Sequence, residues 1–177
     1  MLRIREIHEQ EAERLFNLYH EIHSETYELG FEPGNGRVET LASELHRTTQ
    51  SKSAYFIGMF ESADIGFAVL KGHTSREMAH LAHISIGLCR NWRGKGYGKK
   101  MLNSVEKWAL AHQLRRIEAC IGLDNRPALF LFGASGYRVE GIRKSAFIKD
   151  GMMTDGFYMA KILKENEEDN RIKELLC

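Results

Sequence analysis

The stretch Leu88-Cys-Arg-Asn-Trp-Arg-Gly-Lys-Gly-Tyr-Gly-Lys-Lys100 constrains this chain more than any other. Gly94, Gly96 and Gly98 alternate with Lys95 and Tyr97, and an apolar-rich run from Met78 to Leu88 precedes them. Met101, Leu102, Val105, Trp108, Ala109 and His112 follow at helical spacing. The order is therefore strand, glycine loop, helix. Glycines at such a junction let successive backbone N–H groups turn toward one point. The helix that follows adds unpaired amides and the positive end of its dipole. Arg90, Arg93, Lys95, Lys99 and Lys100 crowd formal positive charge around the loop. This arrangement suits an anion, above all a phosphate.

Several kinds of phosphate loop fit that outline. A Walker loop is excluded, because no Gly-x-x-x-x-Gly-Lys-Ser/Thr occurs. A dinucleotide-binding turn finds Glu118 about 20 residues beyond the glycines, as its fingerprint requires. Against it stand the Gly-x-Gly-x-Gly spacing, the crowd of cations and the single strand–loop–helix unit of this kind. A glycine-rich surface turn with solvated lysines is the plainest alternative.

The spacing Arg93-x-x-Gly96-x-Gly98 resembles the pyrophosphate loop of the GCN5-related N-acetyltransferases, the GNAT family. Downstream, Asn125-Arg-Pro-Ala128-Leu-Phe-Leu131-Phe132-Gly-Ala-Ser-Gly136-Tyr137 is similar to that family's second signature. There an Asn and an Ala open a short helix that ends in a Gly-aromatic pair. The likeness covers roughly residues 78–163, with the two motifs in the family's order. It implies an α+β fold: a mixed, twisted, mostly antiparallel sheet with a splayed central strand pair and helices on both faces. It also implies acetyl-CoA as co-substrate. About the acceptor it is nearly silent.

The rest of the chain agrees with that order of elements. Leu2, Ile4 and Ile7 mark a first strand, and Ala12, Leu15, Phe16, Tyr19, Ile22 and His23 form one stripe of a helix from about Glu9. Gly30, Pro33, Gly34 and Gly36 make 24–37 a loop, and 38–48 reads as a second helix. Strands are expected over 55–60, 65–70, 78–88 and 116–123, with a short helix over 127–134 in which Pro127 suits the first turn. Residues 137–149 and 152–163 flank Asp150-Gly151, a strong hairpin signal. One domain over 1–163 is the expectation, followed by a charged tail or short helix over 164–177.

Net charge is +1, so no broad basic field points to nucleic acid. No apolar run approaches the ~20 residues of a membrane span, and the start lacks the apolar segment of a signal peptide. The three cysteines, Cys89, Cys120 and Cys177, are odd in number and widely spaced, which suits a reduced, cytoplasmic protein. A homodimer is compatible with the sequence.

The resemblance assigns roles to particular residues. Ile86, Gly87 and Leu88 would line the splayed edge that pairs with the pantetheine arm, the Leu88 amide serving as oxyanion donor. Glycine inside a strand also marks a bulge or a close approach of backbone. Arg93, Gly94, Lys95, Gly96, Tyr97 and Gly98 would hold the pyrophosphate, with Lys95 and Lys99 as outer phosphate contacts or solvated lysines. Asn125 would bond the cofactor arm, although Asn before a helix is also a common cap. Phe132 stands where the family usually places the tyrosine that protonates the leaving thiolate. It has no proton to give, so an apolar wall beside the cofactor is its expected role. Tyr158 and Ser135 are the alternative donors.

For a general base, alternation puts His83 on one face with Leu81, Ser85 and Gly87, and His80 on the other. His83 aligns with a place where related enzymes often put a polar group facing the acceptor amine, and its imidazole titrates near neutrality. A histidine bonded in the core is the alternative. Glu25, Glu28 and Glu32, with Tyr27 and Phe31, lie in the region that caps the acceptor cleft in the family. They would suit a cationic amine or be an exposed acidic turn. Cys89 reads as a small buried hydrophobe. His20 and His23 are one residue short of a zinc-protease spacing, so no metal is expected.

These readings converge on an acetyl-CoA-dependent N-acetyltransferase. Direct attack on the thioester is expected, since no nucleophile–base pair is visible. The acceptor would be a small amine (amino acid, polyamine or amino sugar) or a protein N-terminus. A non-catalytic acyl-CoA-binding module is the rival reading, and a nicotinamide or flavin enzyme a distant third.

Overall fold

Strands that are apolar on both sides need helices on both faces of their sheet. The central strands of this chain are of that kind. The computed structural model describes residues 1–26, 29–48 and 51–164. Its seven strands are β1 (Leu2–Glu6), β2 (Ala54–Phe60), β3 (Ala63–Gly72), β4 (Leu81–Leu88), β5 (Arg116–Gly122), β6 (Arg138–Lys149) and β7 (Met152–Ile162). Four helices accompany them: α1 (Ala12–His23), α2 (Val38–Thr48), α3 (Tyr97–Ala111) and α4 (Arg126–Ala134). The strands lie in the order β1-β2-β3-β4-β5-β7-β6, and only β4 and β5 run parallel. This is the mixed, mostly antiparallel sheet expected of the GNAT fold.

Each face of the sheet has its own core. On one face Leu15, Leu18 and Ile22 of α1 and Leu41 and Leu45 of α2 pack against Tyr55, Ile57, Phe67 and Val69. On the other, Met101, Leu102, Val105 and Ala109 of α3 and Phe132 of α4 pack against Phe56, Leu70, Ile84, Ile117 and Ala119. Leu15, Ile22, Met101 and Leu102 have no exposed surface, and each contributes about 2 kcal/mol by leaving water.

Several boundaries differ from the sequence reading. The first helical turn is 3-10 over Glu9–Glu11 before α1 begins. Residues 76–78 form a 3-10 turn rather than the start of a strand, so the central strand begins at Leu81. His112 follows the end of α3 instead of lying within it. The Asp150-Gly151 turn is as expected: φ is 51° and 77°, the two left-handed residues of a tight hairpin. Of the expected tail, only Lys164 lies among the described residues.

One feature of the sheet places the site. β4 and β5 pair only over Leu81↔Arg116, Ala82↔Ile117 and His83↔Glu118. Both strands continue, β4 beside β3 to Leu88 and β5 beside β7 to Gly122. Beyond His83 they are parted. Among the described residues, no helix is long and apolar enough to cross a membrane.

Candidate active site

The parted edge of β4 ends in the glycine loop. A 3-10 turn over Arg90–Trp92 leads to Arg93, and α3 starts at Tyr97. Gly94 has φ 73° and Gly96 φ 80°, and a Cβ at either would touch nothing within 4 Å. Backbone conformation, not crowding, therefore demands glycine at both. Gly98 differs, for a Cβ there would lie 2.9 Å from Leu131 Cδ2, where α3 meets α4. The start of α3 has no side-chain cap and no acidic residue in its first turn. Its unpaired amides and positive dipole end are left for an anion.

The side chain of Arg93 braces this loop. Its Nε–H donates to the Leu88 carbonyl at 2.8 Å, and Nη2 donates to Glu25 Oε2 at 2.8 Å. The same Glu25 oxygen accepts the Arg90 N–H at 3.0 Å. Glu25, considered above for a cationic acceptor, instead ties the end of α1 to the glycine loop. Tyr27 and Glu28 lie outside the described residues. Lys95 Nζ sits 5.3 Å from the Trp92 ring centre and Lys100 Nζ 5.8 Å from that of Tyr97, within a Phe60–Trp92–Tyr97 cluster. Lys99 is exposed.

Hydrogen bonds fix which way the edge of β4 faces. Cys89 N–H donates to Ile65 O at 3.0 Å and His73 N–H to Leu81 O at 3.2 Å. In an antiparallel ladder this directs the backbone groups of odd-numbered β4 residues to β3, and those of even-numbered residues the other way. The His80 carbonyl accordingly accepts from Arg115 and Arg116. Past His83, then, Ile86 and the Leu88 N–H address the gap, the Leu88 carbonyl being taken by Arg93. Gly87 addresses β3, and its missing side chain makes room for Phe67 and Ile22, which a Cβ would meet at 2.9 and 3.0 Å. An edge of this kind is completed by an extended chain that bears amides. With the anion-ready loop at its end, the gap offers backbone groups to an extended ligand that carries a phosphate.

Residues from the second motif occupy the α3–α4 side. Asn125 Oδ1 accepts the Ala128 N–H at 3.2 Å and so caps α4. Phe132 is 1% exposed and meets Tyr137 edge-on at 4.8 Å. It is a core residue rather than an open wall. Ser135 is buried, 8% exposed.

His83 and Ser85 face the opposite side of the sheet, that of α1 and α2. A cavity of about 360 Å³ is lined by Gly30, Phe31, Glu32 and Asn35 of the loop, Val69 and Lys71 of β3, and His83 and Ser85 of β4. Register extends this floor sideways: Glu118 lies beside His83, Cys120 opposes Tyr158, and Arg143 and Phe147 of β6 share their face. Burial lowers the pKa of His83, opposed by Glu118 and reinforced by Arg143 and His73. The imidazole is thus kept neutral near pH 7, as a proton acceptor requires. Tyr158 is 41% exposed, with the Arg143 guanidinium 5.7 Å from its ring centre. Lys71, Arg143 and Phe147 escaped the sequence reading because only strand register brings them to the His83 face, and Asn35 because only the course of its loop brings it to the cavity.

Cys89 is buried and its thiol is pushed up to about 12, chiefly by burial and further by Glu21 and Glu25. It is no nucleophile at neutral pH. Cys89 and Cys120 are free thiols. His20 and His23 both pack against the Tyr19 ring. Among the described residues no group of three or more His, Cys, Asp or Glu side chains is placed to hold a metal.

A sequence model of the Acetyltransferase (GNAT) family matches residues 12–137, which include the glycine loop, the parted edge and α4. The chain belongs to the GNAT family. The L-amino acid N-acetyltransferase AaaT of Escherichia coli K12 is 26% identical over 88 residues, 48% of this chain and 52% of that protein. The matched part thus spans about half the length of that relative. Among solved structures, a GNAT acetyltransferase from Streptococcus pneumoniae superposes with a TM-score of 0.83 at 20% identity, covering 93% of this chain and all of the other. A phosphinothricin acetyltransferase from Sinorhizobium meliloti, solved with acetyl-CoA, gives 0.79 at 24% identity, covering 94% and 91%. These likenesses establish the fold of this GNAT protein.

Proposed function

We propose that the protein transfers an acetyl group from acetyl-CoA to the primary amine of a small molecule by direct attack on the thioester. The observation that carries this reading is the parted β4 edge running into an anion-ready helix start. The amides of 94–99 hold the pyrophosphate, and the Ile86 backbone pairs with the pantetheine arm. The Leu88 N–H stabilises the oxyanion as the tetrahedral intermediate forms. On the acceptor side, His83 takes a proton from the bound ammonium, directly or through water, and the neutral amine so formed attacks the thioester carbonyl. Tyr158, on the same face, is the proton donor for the departing thiolate.

Cys89, buried and poorly acidic, argues against an acyl-enzyme. The half-open cavity, about 360 Å³ and lined by Phe31, Val69 and Glu32, is of a size that suits a small acceptor. A thiol-release assay with acetyl-CoA against mixed amines tests the reading. Amine-dependent release of CoA is the expected result. Tight acetyl-CoA binding without release across the whole panel would identify a non-catalytic acyl-CoA-binding module instead.

A further inference from the structure

Arg143 stands apart from the other cations near the acceptor floor. Arg116 is paired with Glu118 at 2.7 Å and with Glu140, and Arg93 with Glu25 at 2.8 Å. Lys71 faces Glu44 at 3.8 Å, a carboxylate that also accepts the Tyr55 hydroxyl at 2.9 Å. Lys144, next along β6, is drawn to Asp155 at 2.7 Å. Arg143 has no carboxylate partner among the described residues; its neighbours are the Tyr158 ring and the Cys120 thiol.

The fold makes room for this. The register of β6 slips between Arg143 and Phe147, where Ser145 adopts φ 50° and its N–H donates to Asp155 at 2.9 Å. Bulges of this type re-aim a side chain. Opposite Arg143 stands Gly156, where a Cβ would lie 2.9 Å from both Cys120 Sγ and Phe147 Cε2. The absent side chain leaves the arginine a path across β7 toward Cys120. Phe147 reaches toward the cavity, 3.6 Å from where a Cβ of Gly30, one of its lining residues, would stand. Across the cleft lie His83 and the exposed carboxylate of Glu32.

We propose that Arg143 binds the carboxylate of an α-amino-acid acceptor, whose amine then faces His83. A planar guanidinium, 5.7 Å from the Tyr158 ring centre and lacking a carboxylate partner among the described residues, matches a carboxylate with two parallel hydrogen bonds. Glu32 supplies the opposite charge for the ammonium group. The proposal rests on the acetyltransferase reading above and adds the acceptor class to it.

The test measures CoA release with L-amino acids spanning charged, polar, aliphatic and aromatic side chains, each beside its α-amide and its decarboxylated amine. The wild type is expected to favour the best amino acid over its two partners without a carboxylate by about 10- to 100-fold, the range for a hydrogen bond to a charged group. Arg143→Gln should shrink that preference to within about threefold through the acceptor KM, leaving the acetyl-CoA KM unchanged. Arg143→Lys should restore part of it. Equal use of amino acids and their partners without a carboxylate by the wild type overturns the assignment, as does a preference that survives Arg143→Gln or vanishes only in Lys71→Met. No release with any amine, while acetyl-CoA still binds, overturns the transferase reading and the acceptor assignment with it.

Discussion

Phe132 occupies the position where the GNAT resemblance sets a proton-donating tyrosine, and the core encloses it. Phe132→Tyr is expected to keep kcat within about threefold of the parent or raise it, the added hydroxyl costing about 1–2 kcal/mol of stability if it finds no partner. Steady-state kinetics with a melting curve checks both, and a large loss of turnover would show that the aromatic packing itself matters. His83 makes a prediction with a sign. Burial and the nearby cations hold its pKa below the usual 6.5, so the acid limb of kcat/KM should lie below pH 6.5. Arg143→Gln removes a charge that lowers the pKa and should move the limb up, whereas Glu118→Gln removes one that raises it and should move the limb down. Lys71, His73 and Glu32 also border the imidazole or its cavity and stay in both variants. A pH–rate profile of His83→Ala matching the parent would remove this residue from the chemistry. Other residues showed the limits of sequence. Glu25 stands 68 residues before Arg93, so their ion pair left no local trace. Arg143 owes its place to a bulge in β6, the second strand after the glycine loop.

Elements were more legible than residues. Apolar periodicity located the strands and helices, and Asp150-Gly151 located the hairpin, because turn geometry and side-chain alternation act over a few neighbours. The parting of β4 from β5 could be expected only through the family resemblance, since both strands are apolar and nothing in their sequences marks where pairing stops. Glycines test how the elements meet. Gly66 lies in β3 where a Cβ would fall 2.5 Å from the Gly87 carbonyl oxygen and 2.6 Å from Leu88 Cδ2. Gly66→Ala should destabilise the protein by about 3 kcal/mol, as overpacking against backbone does, and should weaken acetyl-CoA binding by disturbing the β4 edge. Gly133 in α4 would bring its Cβ within 4 Å of nothing. Gly133→Ala should therefore stabilise by about 0.5–1 kcal/mol through the entropy of the unfolded chain. Chemical denaturation of the two variants compares these opposite signs directly.

At the scale of the whole molecule, the sheet divides the work between its faces. In the proposed function the end of β4 and the start of α3 take the thioester arm and its phosphates, while α1, α2 and the 29–36 loop lie on the face that carries the His83 cavity. Glu25 connects the two sides, since its carboxylate reaches from the end of α1 to Arg90 and Arg93. A crystal structure of the protein with coenzyme A is the most direct measurement of this arrangement. The pyrophosphate should lie within hydrogen-bond distance of the amides between Gly94 and Lys99, with the pantetheine arm running between β4 and β5 alongside Ile86 and Leu88. Coenzyme A bound elsewhere, or a complex in which β4 and β5 close together beyond His83, would contradict the account.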